Sequence, residues 1–154
     1  MKLNDWIRSH MHSVFDAVAE ERVASLERDI GITLPRDYRS LLLEIKGGKT
    51  NGDLVFDVPD LGRDFGVNAF FGIDTPHKSC NLGDITLLLA NDSLEAKFHN
   101  HWLPFARTPE GCFLCINAKD GSNRYGMVVI KTPAAWAFVA NSFEEFCRLL
   151  GWPG

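Results

Sequence analysis

No apolar stretch in this chain approaches the roughly 18 to 20 residues that a membrane-spanning helix needs, and the opening Met1-Lys2-Leu3-Asn4-Asp5-Trp6 lacks the apolar core of a secretion signal. No membrane association and a cytoplasmic location are therefore expected. Positive charge is in deficit: sixteen Lys and Arg stand against twenty Asp and Glu, a net charge of -4 with a pI near 5.7. That sign is wrong for holding a phosphate backbone by counterion release, so direct nucleic-acid binding is not expected. Cysteine is sparse. Cys80, Cys112, Cys115 and Cys147 accompany no secretion signal and a core large enough to need no staples, so free thiols are expected.

Motifs of catalysis are missing as well. Gly47-Gly48 has no Gly-Lys-Ser/Thr downstream and follows a helical pattern, where a phosphate loop must follow a strand. There is no Gly-x-Ser-x-Gly elbow to expose a nucleophile and no His-Glu-x-x-His helix to seat zinc. Cys112 and Cys115 have the spacing of half a zinc site, but they lie in an apolar run that reads as a buried strand, where residues three apart diverge to opposite faces. His10 and His12 are about 200° apart on a helix and cannot share an ion. His99 and His101 could share one side of an extended segment, yet no spacing supplies a third ligand or a general base. A metal-dependent enzyme using that pair is a distant alternative. The expectation is no catalytic site, no metal and no cofactor.

What the chain has is the makeup of an ordinary folded domain. Its 154 residues, 45% apolar and 23% charged, suffice for one domain burying roughly 68 to 70% of the surface of the unfolded chain. Apolar residues at Ile7, Met11, Val14, Phe15 and Val18, continued by Val23, Leu26 and Ile30, predict one long helix or two joined by a kink, ended by Gly31. A second helix is predicted from about Pro35 or Arg36 to Ile45, stopped by Gly47-Gly48 and a polar turn over residues 49–52. The period then changes to two. Leu54, Phe56 and Val58 alternate with Asp53, Val55 and Asp57, and Val67, Ala69, Phe71 and Ile73 make a second alternating set, with a loop containing Pro59, Gly62 and Gly66 between them.

Residues 85–98 fit either a helix or a strand, and the helix is preferred. From Leu103 onwards strands are predicted, including a hairpin of residues 112–117 and 125–131 and a further strand over 136–139. Ser142-Phe143-Glu144-Glu145 has capping-box spacing, and Phe143, Phe146, Cys147 and Leu150 give the last helix its buried stripe. The whole, residues 1–154, reads as a single α+β domain: N-terminal helices and a C-terminal helix packed around a mainly antiparallel sheet.

Charge is unevenly placed. Between residues 51 and 85 lie six acids (Asp53, Asp57, Asp60, Asp64, Asp74 and Asp84) and two bases (Arg63 and Lys78), leaving fourteen of each sign elsewhere. The same segment carries Phe65, expected in a loop, and Phe70, expected on the strand face opposite Phe71. Asp53, Asp57, Asp60, Asp64, Phe65, Phe70 and Asp74 are thus the candidate partner-binding residues. Complementary charge speeds encounter and aromatics supply anchoring energy. A merely solvated acidic loop accounts for the same residues.

Leu26-Glu27-x-x-Ile30-Gly31-Ile32-x-Leu34-Pro35-x-Asp37-Tyr38-x-x-Leu41-Leu42, followed by Gly47-Gly48, closely resembles the opening motif of the SUKH superfamily, the Smi/Knr-type domains. Phe71-Gly72-Ile73, Leu103-Pro104-Phe105-Ala106 with Gly111, Leu114-Cys115-Ile116, Tyr125-Gly126-x-Val128 and Ala140-Asn141-Ser142-Phe143-x-x-Phe146 follow in the family's order. The resemblance spans roughly residues 23 to 150. It implies a protein-binding module and no enzyme. Members of the family are known chiefly as bacterial immunity proteins that neutralise a cognate polymorphic toxin, often a nuclease, and a fungal branch serves as an interaction hub. The partner implied is a basic toxin encoded next to this gene. A scaffold or regulatory module of the same fold is the alternative, and the oligomeric state is left open.

Overall fold

A computed structural model describes residues 1–14, 19–45, 47–72 and 102–154. The described elements are α1 (Leu3–Ser9), β1 (Met11–Val14), α2 (Glu20–Ile30), α3 (Arg36–Glu44), β2 (Gly48–Thr50), β3 (Val55–Val58), a 3-10 turn (Pro59–Leu61), β4 (Arg63–Gly66), β5 (Ala69–Phe70), β6 (Trp102–Arg107), β7 (Phe113–Asn117), β8 (Val128–Lys131), β9 (Trp136–Ala140) and α4 (Phe143–Leu149). Seven strands form one antiparallel sheet in the order β1-β2-β5-β6-β7-β8-β9, and β3 with β4 form a separate hairpin. The expected α+β class is the observed one.

One contiguous core lies between the helices, the hairpin and one face of the sheet. It takes Val23 and Leu26 from α2, Tyr38, Leu41 and Leu42 from α3, Phe56 and Val58 from β3, Phe105 from β6, and Phe143, Phe146 and Cys147 from α4. Aromatic rings meet edge to face at its centre: Phe105 lies 5.6 Å from Phe143 and 5.7 Å from Phe146, and Phe146 lies 5.3 Å from Phe56. Such geometry matches the ring quadrupoles as well as burying area.

The sequence signals for the helix ends hold. Gly31 closes α2 in the left-handed region at φ 78°, with its N–H donating to the Glu27 carbonyl. Ser142 caps α4, its Oγ accepting from the Glu145 N–H at 3.1 Å. Three local expectations do not hold. Met11 and Val14 continue a helical period in the sequence, yet residues 11–14 form β1, because pairing with β2 satisfies their backbone and outweighs a weak local preference. Residues 48–50, expected in a stop and polar turn, form the strand between β1 and β5. The loop expected between residues 58 and 67 contains a 3-10 turn and the whole of β4. The stretch 85–98 lies outside the described residues.

The opening motif acts as a structural joint. Glu27 Oε2 accepts from the Leu34 N–H at 2.9 Å, while Oε1 accepts from Arg39 Nε at 3.1 Å. Arg39 also reaches Glu20 Oε1 at 2.6 Å, so one guanidinium clamps α2 to α3. That pairing holds the Glu20 carboxyl below its ordinary range and pushes Arg39 further up. Asp37 Oδ2 accepts from the Glu144 N–H at 3.0 Å, joining α3 to the first turn of α4. Tyr125 Oη donates to the Thr33 carbonyl at 2.9 Å, and the Thr33 N–H donates to the Ala118 carbonyl at 2.9 Å, fixing the motif to the β7–β8 hairpin.

Tyr38 is an exception to this satisfaction. Its ring packs 5.4 Å from Phe143 and 5.6 Å from Phe105, and its hydroxyl is fully buried with no hydrogen-bond partner among the described residues. Burial pushes its phenol well above the usual range. A buried unpaired polar group costs about 1 to 3 kcal/mol. Tyr38→Phe keeps the ring contacts and removes that cost, so chemical denaturation should show a gain of about 1 to 3 kcal/mol. A loss of stability would show that the hydroxyl is bonded in solution.

Candidate partner-binding surface

The β3–β4 hairpin carries most of the candidate residues. Pro59 begins its 3-10 turn and Gly62 ends it at φ 66°, with the Gly62 N–H donating to the Pro59 carbonyl at 3.0 Å. Its pairs are Val55 with Gly66, Phe56 with Phe65, Asp57 with Asp64, and Val58 with Arg63. Strand alternation therefore separates two faces. Phe56, Val58 and Phe65 turn into the core, while Val55, Asp57 and Asp64 face outwards and are exposed. Asp60 is exposed on the turn.

Asp57 and Asp64 sit directly opposite each other, an arrangement in which like charges destabilise a strand pair. Arg63, the only base in the hairpin, is turned elsewhere: its guanidinium lies 4.4 Å over the Phe65 ring and 3.8 Å from Glu110. Asp53 is tied back, its Oδ2 standing 2.8 Å from His10 Nδ1 at the end of α1. Among the described residues no ion-pair partner faces Asp57, Asp60 or Asp64, and the hairpin's negative charge is concentrated on them. Asp74 lies outside the described residues.

Both candidate aromatics need correction. Phe65 is in β4, 3% exposed and stacked 6.1 Å from Phe56. Gly62 and Gly66 make its segment look like a loop, but they delimit a four-residue strand. Phe70 is 2% exposed, because β5 runs inside the sheet between β2 and β6. Phe71 on the other side is equally buried, and its N–H donates to the Phe105 carbonyl just where the strand ends. Neither ring is available as an exposed anchor. Among the described residues, exposed apolar side chains include Val55 of β3, 47% exposed, and Phe138 of β9, 42% exposed. Sequence reasoning missed both, although the alternation of Phe138 with Ala137 and Val139 was a readable signal.

Among the described residues no group of three or more His, Cys, Asp or Glu side chains is placed to hold a metal, and no helix is long and apolar enough to cross a membrane. Cys112 belongs to the main core and Cys115 to a second apolar cluster with Trp102 and Val129, so their sulfurs diverge as expected. Burial, with Asp37 and Glu144 nearby, holds the Cys147 thiol well above its ordinary range. His99 and His101 lie outside the described residues.

Helices joined through a Glu27–Arg39 clamp and seated on one face of an antiparallel sheet define the class of fold. The chain belongs to the SMI1/KNR4 family (SUKH-1), whose pattern it matches over residues 17–148. It is also similar to the SPbeta prophage-derived uncharacterized protein YokK of Bacillus subtilis (strain 168), with 27% identity over 143 residues, 82% of this chain and 71% of that one.

Proposed function

We propose that this chain is a cytoplasmic immunity protein that binds a cognate basic toxin, a nuclease in the first instance, and neutralises it by occlusion without chemistry of its own. The observation that carries the reading is the outward face of the β3–β4 hairpin, where Asp57 and Asp64 are opposed with no base between them among the described residues. A fold gains nothing from that pairing, whereas a basic partner gains both charges. Membership of the SMI1/KNR4 family supports a protein partner.

Two measurements test it. Expression of the product of the adjacent gene should arrest cells, and co-expression of this chain should restore growth. Reversing Asp57, Asp60 and Asp64 to Lys changes each site by two charge units and should turn steering into repulsion. The on-rate at low salt should fall about 10- to 1,000-fold, and its dependence on ionic strength should shrink or invert. Circular dichroism should remain that of the wild type, since all three side chains are exposed. A harmless neighbour would favour a scaffold or regulatory role. Unchanged kinetics in the triple variant would leave the acidic hairpin a solvated surface.

A further inference from the structure

Asn51 is followed by Gly52, and no other asparagine in the chain precedes a glycine. That pair is chemically labile: the backbone nitrogen after an asparagine can attack its side-chain carbonyl carbon, and a glycine, having no Cβ, leaves the approach unobstructed. What holds the turn decides whether the reaction runs in the folded protein. Both residues are exposed, in the connection between β2 and β3. Gly52 has φ 85° and nothing within 4 Å of where a Cβ would stand, so that side of the turn is open.

One hydrogen bond restrains the reacting nitrogen. The Gly52 N–H donates to Thr50 Oγ1 at 3.2 Å, and that hydroxyl donates in turn to the Val67 carbonyl. The nitrogen must give up this proton before it can attack. Asn51 is anchored through its backbone, its N–H donating to the His10 carbonyl at 2.8 Å, and two residues on Asp53 Oδ2 stands 2.8 Å from His10 Nδ1. Its side-chain amide has no hydrogen bond among the described residues. Asn4 and Asn117 differ on this point: both are buried, with Asn4 Nδ2 donating to Ser40 Oγ and Asn117 Oδ1 accepting from the Lys119 N–H.

We propose that Asn51 is a spontaneous deamidation site of the folded protein, and that its isoaspartate product loosens the turn leading into the acidic hairpin. The Gly52 nitrogen loses its proton and bonds to Asn51 Cγ as the amide C–N bond of the side chain breaks, so ammonia leaves and a cyclic imide closes. Water then opens the imide. Cleavage of the new bond leaves aspartate, whereas cleavage of the original peptide bond leaves isoaspartate, whose main chain runs through the former side chain and is one carbon longer. Nothing is oxidised or reduced, and water is the only co-reactant. Either product takes the net charge from -4 to -5 and places the added charge two residues from Asp53. Isoaspartate also lengthens the path between Thr50, whose N–H donates to the Asn68 carbonyl at 3.1 Å, and Asp53, which is held by His10.

The test is prolonged incubation of the full chain in mildly alkaline buffer, native and unfolded in guanidinium chloride, followed by peptide mass mapping, isoaspartyl methyltransferase labelling and anion exchange. In the native protein the peptide containing residue 51 should gain the mass of an amide turned acid, become a methyltransferase substrate and elute with one more negative charge. Its conversion should quicken as pH rises and run about 2- to 10-fold slower than in the unfolded chain, the factor that one hydrogen bond on the Gly52 nitrogen withholds. Asn51→Gln should stay unconverted, because its longer side chain closes the ring poorly. The isoaspartate fraction should unfold at lower denaturant than the unconverted protein, while Asn51→Asp, which adds the charge without lengthening the chain, should stay close to the wild type. A native protein whose Asn51 remains an amide, whether or not the unfolded chain converts, would overturn the inference, as would conversion confined to another asparagine. An isoaspartate fraction as stable as the unconverted protein would overturn the loosening of the turn.

Discussion

Gly47→Ala should be among the most damaging single substitutions in this protein. Gly47 has φ 116°, a region that L side chains rarely adopt, and a Cβ there would lie 2.7 Å from the Gly72 nitrogen and 2.9 Å from both the Phe70 oxygen and the Phe71 carbon. All three are backbone atoms, held by the pairing of Gly48 with Phe70 where β2 meets β5. Relief would require separating two strands inside the sheet. Backbone strain of about 1 to 3 kcal/mol and overpacking of about 1 to 3 kcal/mol together make a large share of the roughly 5 to 15 kcal/mol that holds a domain folded. Gly31→Ala is the control. Gly31 has φ 78° with nothing within 4 Å of its would-be Cβ, so only the conformational cost of about 1 to 2 kcal/mol should appear. Urea denaturation of the two variants checks this, and equal losses would show that the close approach of Gly47 relaxes freely.

Phe146→Ala should cost about 3 to 5 kcal/mol. The side chain is fully buried and its ring meets those of Phe56, Phe105 and Phe143, so truncation opens a cavity where the hairpin, the sheet and α4 converge. Collapse around the gap is restricted, because β6 is hydrogen-bonded to β5 and β7 on its two sides. Phe143→Ala should lose a similar amount through its contacts with Tyr38 and Phe105. Losses below about 1 kcal/mol for both would refute the packing described here.

The two kinds of prediction lie on different links of the chain from sequence to function. Gly47 and Phe146 determine whether the protein folds, and the family motif belongs with them. Glu27, Asp37 and Arg39 are joined to backbone amides or to one another within the helical joint. A motif made of joints constrains the fold and leaves the partner open.

The amino-acid sequence by itself determined the helical stretches that become α2, α3 and α4, the Gly31 stop and the Ser142 cap, the β7–β8 hairpin, the α+β class and the concentration of acid between residues 51 and 85. Those features are local: a left-handed glycine, a serine at the start of a helix, a period of 3.6 or 2, and a count of charges are all contained in short stretches of chain. Tertiary structure alone decided the rest. Met11–Val14 became a strand because Gly48–Thr50 lay ready to pair with it. Phe65 and Phe70 were drawn inside because a second strand and the interior of a sheet covered them. Phe138 stayed outside although it lies in an apolar run as promising as any core strand. Burial depends on what packs against a residue from far along the chain, and a sequence read segment by segment contains the period of a strand but not which of its faces is covered.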